Sequence, residues 1–251
     1  MLFRHQEANF SAFHLSKITK YCMLLFELDQ SLCEGIHDPN IFKAVFIAGP
    51  PGAGKNTVIK DLGLQSSGLK LQDIDHTLAY LNKRKSPANP NYERGLDITL
   101  KRQSMFEKEM LGLLINTTGR SSDRLINLNK QLKQSGYDTF MIFVDADYDV
   151  AYQRVQNRPS SATDPKDIGR KVDYDYFVNA FKATKENIDF YAIMFGDNFA
   201  LVTNNAPSGT QPQDAEYRRT LTKAGKRLNR FLTKPLSPKA QAVLSQTRDK
   251  P

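Results

Sequence analysis

The sequence predicts an α/β fold: a parallel sheet of about five strands flanked by helices, with a helical extension at the N-terminus and a basic helical one at the C-terminus. Three observations predict it. Between residues 41 and 204 short apolar runs alternate with amphipathic segments, the pattern of strands buried on both faces. A glycine-rich stretch leaves the first apolar run and opens directly into a helix. The charge is also uneven: from Glu216 onward ten basic residues face two acids, a surplus of +8, while residues 1–215 are neutral.

Taken in order, residues 8–34 read as one or two helices, with Leu15, Ile18, Cys22, Leu25 and Leu32 forming an apolar stripe. Gly35 and Asp38-Pro39 end that segment, and residues 1–40 form the N-terminal extension. The central region, 41–204, has strand candidates at Ala44–Ala48, Leu69–Gln72, Leu113–Asn116, Phe140–Val144 and Phe199–Thr203. A helix starting near Thr77 follows the second. Another lies between the third and fourth, with Ser121 or Ser122 as N-cap, Leu125, Leu128 and Leu132 on one face, and Gly136 as its stop. Phe177, Phe181, Ile188, Tyr191 and Phe195 predict one longer helix whose aromatic stripe is core. A Pro/Ser/Gly/Asn linker from Asn204 to Gln213 leads into the basic tail, so that 205–251 is linker plus helix.

The glycine-rich stretch is Gly49-Pro50-Pro51-Gly52-Ala53-Gly54-Lys55-Asn56-Thr57. Strand, loop and helix in that order predict a phosphate-binding loop and hence the P-loop NTPase/kinase fold. Glycines let backbone N–H groups converge on a polyphosphate, the helix N-terminus adds partial positive charge, and Lys55 reaches the terminal phosphates. The expected ligand is a nucleoside triphosphate, ATP or GTP, with Mg²⁺. Asn56 stands where a Ser or Thr hydroxyl would meet the metal; its amide oxygen or the Thr57 hydroxyl is the candidate ligand.

Phosphoryl transfer needs an acceptor held in line, a base and positive charge, and in a parallel sheet these come from loops at the strand C-termini. Asp73 and Asp75 follow the second strand; either could take a proton from a hydroxyl, or cap the next helix. Arg120 lies in Asn116-Thr117-Thr118-Gly119-Arg120 after the third. Arg154 and Arg158 share a helix face after the fourth. Arg170 sits in a polar segment of about 159–173, which reads as a lid closing over the nucleotide, or as an ordinary surface loop.

Two cysteines, Cys22 and Cys33, give neither a disulfide framework nor a zinc site, and the longest early apolar run, Tyr21–Phe26, is too short to span a bilayer. A cytoplasmic protein with no membrane partner is expected. In the tail, Leu221, Ala224, Leu228, Phe231 and Leu232 recur at helical spacing, so the basic residues read as a solvated helix face or as a surface for nucleic acid.

These motifs together resemble the zeta-toxin-like P-loop kinases, and within them bacteriophage members: the phosphate loop, Gly-Leu-Lys…Asp-x-Asp, Thr-Gly-Arg, Ser-Gly-Tyr-Asp-Thr and Arg-x-x-x-Arg, over about residues 42–204. The resemblance implies a kinase with an arginine lid using ATP or GTP and Mg²⁺, in the host cytoplasm if phage-encoded. It puts the hydroxyl-activating carboxylate at Asp75, the loop lysine at Lys55, and lid arginines at Arg154, Arg158 and Arg170. Two departures touch metal binding: Asn116 replaces an aspartate of the usual Asp-Gly-Thr-Gly-Arg, and Asn56 replaces the metal-binding hydroxyl.

The leading reading is therefore a kinase moving phosphate to a hydroxyl of nucleic acid, a nucleotide or nucleoside, or a nucleotide sugar. The alternative is a degenerate nucleotide-binding phage accessory or assembly protein. An NTPase driving a conformational change ranks last, since Val144-Asp145, after strand four, is the nearest Walker-type acid.

Overall fold

A computed structural model describes residues 38–82, 92–161, 172–206 and 214–248. The helical stripe expected within residues 8–34 lies outside them, as does most of the 159–173 segment. All described residues belong to one compact unit.

Five parallel strands, β1 (Lys43–Ala48), β2 (Lys70–Gln72), β3 (Leu113–Asn116), β4 (Asp138–Asp145) and β5 (Phe199–Thr203), lie in the order β2-β3-β1-β4-β5. The β1 strand is central because it is apolar along its whole length and fully buried, as a strand covered on both faces must be. Its C-terminal end therefore opens between the ends of β3 and β4. Ile47 pairs with Asn116 on one side and Ala48 with Phe143 on the other.

Helices follow the strands as α1 (Lys55–Asp61), α2 (Ile74–Asn82), α3 (Tyr92–Lys108), α4 (Ser122–Gln134), α5 (Tyr148–Ser161), α6 (Tyr174–Glu186), α7 (Ile188–Phe195), α8 (Ala215–Leu232) and α9 (Pro238–Arg248). Alternation along the strands sorts the core into two layers. Val45, Ile47, Leu114, Ile142, Val144, Ala200 and Val202 pack with Val58 and Ile59 of α1, Val155 of α5, and Tyr217, Leu228 and Phe231 of α8. On the opposite face Phe46 meets Phe195 and Phe143 meets Tyr191, both from α7. No helix among the described residues is long and apolar enough to cross a membrane.

Several expected boundaries move. The β4 strand begins two residues earlier than its apolar run, because Asp138 is paired with the buried Lys43 ammonium at 2.8 Å. The helix expected near Thr77 begins at Ile74, with the Asp73 carboxylate accepting the Asp75 N–H at 2.9 Å. The single long aromatic helix is two, α6 and α7, broken at Asn187, whose side chain turns away to bond the loop after β3. Finally, α3 was not signalled at all. Its inward face carries Thr99, Arg102 and Gln103 among Ile98 and Phe106, so no apolar stripe marks it.

The basic tail helix α8 lays Tyr217, Ala224, Leu228 and Phe231 on the sheet. It runs antiparallel to β5: Thr220 near its start accepts from the Thr203 N–H, and Arg227 further along donates to Phe199 O at 2.7 Å.

Candidate phosphate-binding site at the carboxyl edge of the sheet

The Gly49–Thr57 loop leaves β1 at the sheet edge and turns into α1 through Gly54, at φ 87 and ψ 31. That left-handed conformation favours glycine, and a Cβ there would also lie 2.3 Å from Asn204 Nδ2. Gly52, at φ 82, is equally confined, since a Cβ would lie 2.2 Å from Ala151 O. The loop is thus wedged between α5 and the segment after β5. No side chain caps α1, so its first N–H groups are left to the loop's concave side. Lys55 folds back over the loop, donating to Gly49 O at 2.7 Å and Pro50 O at 3.2 Å. Asn56 is exposed and Thr57 half-buried at the start of α1.

Arg154 reaches the loop from the α5 side, and its guanidinium faces carbonyls. Nη1 donates to Gly52 O at 3.2 Å and Ala53 O at 3.4 Å; Nη2 donates to Asn204 Oδ1 at 3.0 Å and to Ala206 O. Burial pushes its pKa down from the ordinary arginine value. Asn204 donates in turn to Ala53 O at 2.9 Å and is fully buried. In the sequence Asn204 reads as the first residue of a linker, because an asparagine in a polar stretch carries no mark of burial. Together these two side chains hold the Gly52 and Ala53 carbonyls of the loop. Arg158 lies four residues further along α5; its side chain and Arg170 are outside the described residues.

The loop continues into the ends of β3 and β2. Thr117 N–H donates to Ile47 O at 3.0 Å, and Gly49 N–H to Thr118 O at 3.3 Å, so the strand-three turn abuts the loop. Next along the edge, Asn116 Nδ2 donates to Asp73 Oδ2 at 2.8 Å. Asp73 is only 5% exposed, and its other oxygen caps α2 at Asp75, whose side chain is half-buried in the first turn. Asn116 Oδ1 is buried without a hydrogen-bond partner among the described residues. The structure therefore brings Lys55, Asn116, Asp73 and Asp75 along one rim.

Arg120 is exposed on that rim, its guanidinium 5.3 Å from the centre of the Tyr176 ring. Its turn is pinned from α7: Tyr191 OH donates to Gly119 O at 2.7 Å, and Asn187 Nδ2 to Gly119 O at 3.2 Å and Arg120 O at 3.1 Å. Neither residue could be recognised from sequence, since both read as members of one helix. On the other side of β1, Asp145 ends β4 and pairs with Lys185 of α6 at 2.5 Å. Its place beside the loop follows from the strand order, which sequence alone did not give.

Magnesium fits this donor set. It keeps water and phosphate oxygens and needs only one or two protein ligands, all hard oxygens. Thr57, Asn56, the Asp73 carboxylate and the unpaired Asn116 oxygen are of that kind. Among the described residues no group of three or more His, Cys, Asp or Glu could hold a metal ion.

Comparison with known proteins agrees with this architecture. The sequence model of the zeta toxin family matches residues 103–204. Among solved structures, a protein of the PezAT chromosomal toxin–antitoxin system of Streptococcus pneumoniae superposes with a TM-score of 0.52 at 19% identity, covering 86% of this chain and 98% of that one. The AvrRxo1-ORF1:-ORF2 complex gives a TM-score of 0.57 at 11% identity over 87% of this chain and 82% of that one. A candidate kinase of Chloroflexus aurantiacus gives 0.50 at 12% identity over 74% and 97%. At these identities the structural likeness is one of fold. No curated protein matches the sequence.

Proposed function

We propose that this chain is a zeta-toxin-like P-loop kinase that transfers the terminal phosphoryl group of ATP or GTP to a hydroxyl acceptor. The family match and the kinase-like fold support nucleotide-dependent phosphotransfer in general. The observation that carries the finer reading is the continuity of the rim: Lys55 is held at the loop mouth, and the loop is hydrogen-bonded through the strand-three turn to Asn116 and Asp73, next to Asp75.

In this reading Lys55 leaves the Gly49 and Pro50 carbonyls for the β- and γ-phosphates, exchanging two neutral acceptors for charged ones. Asp75 accepts the proton of the acceptor hydroxyl as that oxygen bonds to the γ-phosphorus and the bond from phosphorus to the diphosphate oxygen breaks. Asp73, fixed by Asn116, orients the start of α2 and so the Asp75 carboxylate. Arg120 supplies positive charge at the open side, and Arg158 and Arg170 do so when the 159–173 segment closes as a lid. Arg154 acts from behind the loop, by holding its carbonyls. Thr57, Asn56 and the Asp73–Asn116 corner would hold magnesium, which would supply positive charge to the phosphates.

The test incubates the full chain with terminally labelled ATP or GTP and Mg²⁺ against DNA, RNA, nucleosides, nucleotides and nucleotide sugars. Label should move to one class, and Asp75→Asn should lower transfer by about two to four orders of magnitude while nucleotide still raises the melting temperature. Undiminished transfer by that variant removes Asp75 as the base.

A second reading is supported by one contact: the Asn116 amide occupies an Asp73 oxygen that a metal could otherwise use. The protein would then bind nucleotide as an accessory or assembly factor. Nucleotide-dependent thermal stabilisation with no transfer to any acceptor would select it.

A further inference from the structure

We propose that the exposed face of α8 is a track for duplex nucleic acid, gripped by the phosphate backbone. The inference is independent of the kinase reading.

Between Ala215 and Leu232 the chain carries six basic residues and one acid, Glu216. They do not all do the same thing. Arg227 turns inward to donate to Phe199 O, closing a carbonyl of the edge strand β5. Arg219, Lys223, Lys226 and Arg230 are all exposed and follow one another at steps of four, three and four. At about 100° per residue these four fall within an arc of about 60°, in a row about 17 Å long. Glu216 stands only at the top of the row, 3.8 Å from Arg219.

The helix is held rigidly in this orientation. Tyr217, Ala224, Leu228 and Phe231 are buried on the sheet, Tyr217 OH donates to Asp61 at 2.7 Å, and Asp214 caps the first turn by accepting the Tyr217 N–H at 2.6 Å. Because α8 is antiparallel to β5, the row starts at the carboxyl edge of the sheet and runs away from it.

What such a surface fits follows from its chemistry. A row about 17 Å long covers about half a turn of duplex, so its four long cationic side chains can meet phosphates of the two strands that border one groove. A protein partner would be expected to meet aromatic or aliphatic anchors, with lysine depleted. The exposed face of α8 has no such anchor, because its aromatic residues are buried. Single strands are held by bases stacked on exposed aromatic rings, which this face also lacks. Backbone contact to a duplex remains.

Fluorescence anisotropy with a labelled duplex of about 20 base pairs tests this on the full chain. Four phosphate contacts predict a log–log salt slope of about −3.6, a loss of about 100-fold in affinity between about 50 and about 200 mM salt. Replacing the row (R219Q, K223Q, K226Q and R230Q together) should flatten the slope by about 3.6, nearly to zero. A control that removes the same charge from other exposed sites (K108Q, K130Q, K133Q and K182Q) should leave affinity and slope nearly intact. Melting temperature and nucleotide-induced stabilisation of the row variant should stay at the unsubstituted values, and K55A should bind duplex normally, so that loss of the track and loss of the nucleotide site are read separately. Equal loss in both quadruple variants, absence of binding at low salt, or tighter binding of poly-glutamate or single strands than of duplex would overturn the proposal.

Discussion

Asn116 Nδ2 stands 2.8 Å from Asp73 Oδ2, tying the end of the third strand to the end of the second. Asp73 is buried and Asn116 half-buried; the pair neighbours the phosphate loop, and the Asn116 Oδ1 atom has no partner among the described residues. Asn116→Asp replaces a donor by a second carboxylate facing Asp73. Without divalent cations the variant should lose about 1–3 kcal/mol of stability at neutral pH, since one partly buried bond goes and like charges meet. Millimolar Mg²⁺ should return most of that loss, which urea unfolding with and without the cation measures. Asn116→Ala loses the bond without adding charge, and its deficit should be insensitive to Mg²⁺. Identical Mg²⁺ responses in the two variants would mean that this corner of the rim does not face a cation.

The Arg154 guanidinium shares Ala53 O and the Asn204 amide, so the two side chains act as one bracket on the loop. Arg154→Ala should cost about 2–3 kcal/mol and weaken nucleotide binding at least about tenfold, because the carbonyls of Gly52 and Ala53 are released together. Arg154→Lys should not rescue, since an ammonium cannot span the four acceptors as the planar fork does. Asn204→Ala combined with Arg154→Ala should cost less than the sum of the two, as expected for a shared network. Strict additivity in denaturation would show that the bracket is two unrelated contacts.

Gly52 admits a sharper test. At φ 82, with Ala151 O 2.2 Å from the place a Cβ would take, Gly52→Ala must move either the loop or the start of α5. Backbone is on both sides, so no side chain can swing clear. A loss of about 1–3 kcal/mol is expected, with nucleotide stabilisation reduced beyond it. Gly63→Ala serves as the comparison: its φ of 65 is also left-handed, but the nearest atom, Ser66 Oγ, is 3.8 Å away. It should cost about 1 kcal/mol with nucleotide binding unchanged. The measurement is thermal melting with and without ATP.

These residues show where the sequence was readable. Continuous apolar runs marked Leu113–Asn116 and Phe199–Thr203 with the bounds seen in the structure, because strands buried on both faces leave no other pattern. The loop was readable for a different reason: glycines, lysine and flanking strand state a backbone requirement locally. What stayed hidden depends on strand order and on the direction of long side chains. The order β2-β3-β1-β4-β5 puts Asp145 beside the loop, and nothing local to Val144-Asp145 says so. Helical spacing placed Arg154 on one face of α5 but not the direction of its guanidinium, which turns to carbonyls. Asn187 looked like one more turn of a helix, yet its amide is needed by Gly119 and Arg120, and the helix breaks there.

Tyr191 links that break to pH. Burial pushes its phenol up from 10.0 to about 12, opposed in part by a hydrogen bond from Asn187. The folded state therefore holds the proton more tightly than the unfolded chain. The Tyr191 contribution is complete below about pH 10 and declines as the pH rises through about 12. The bond at stake is the one to Gly119 O at 2.7 Å, which only the protonated phenol can donate. Tyr191→Phe should accordingly cost about 1 kcal/mol near neutral pH. Other buried tyrosines tilt the stability curve the same way, so the informative quantity is the difference between the two proteins in urea unfolding. That difference should narrow between about pH 10 and about pH 12, since ionisation deprives the unsubstituted chain of what the variant already lacks. A gap of constant size across that range would show that the Tyr191 hydroxyl ionises no differently in the folded and unfolded chain, and that the Gly119 turn is held by Asn187 alone.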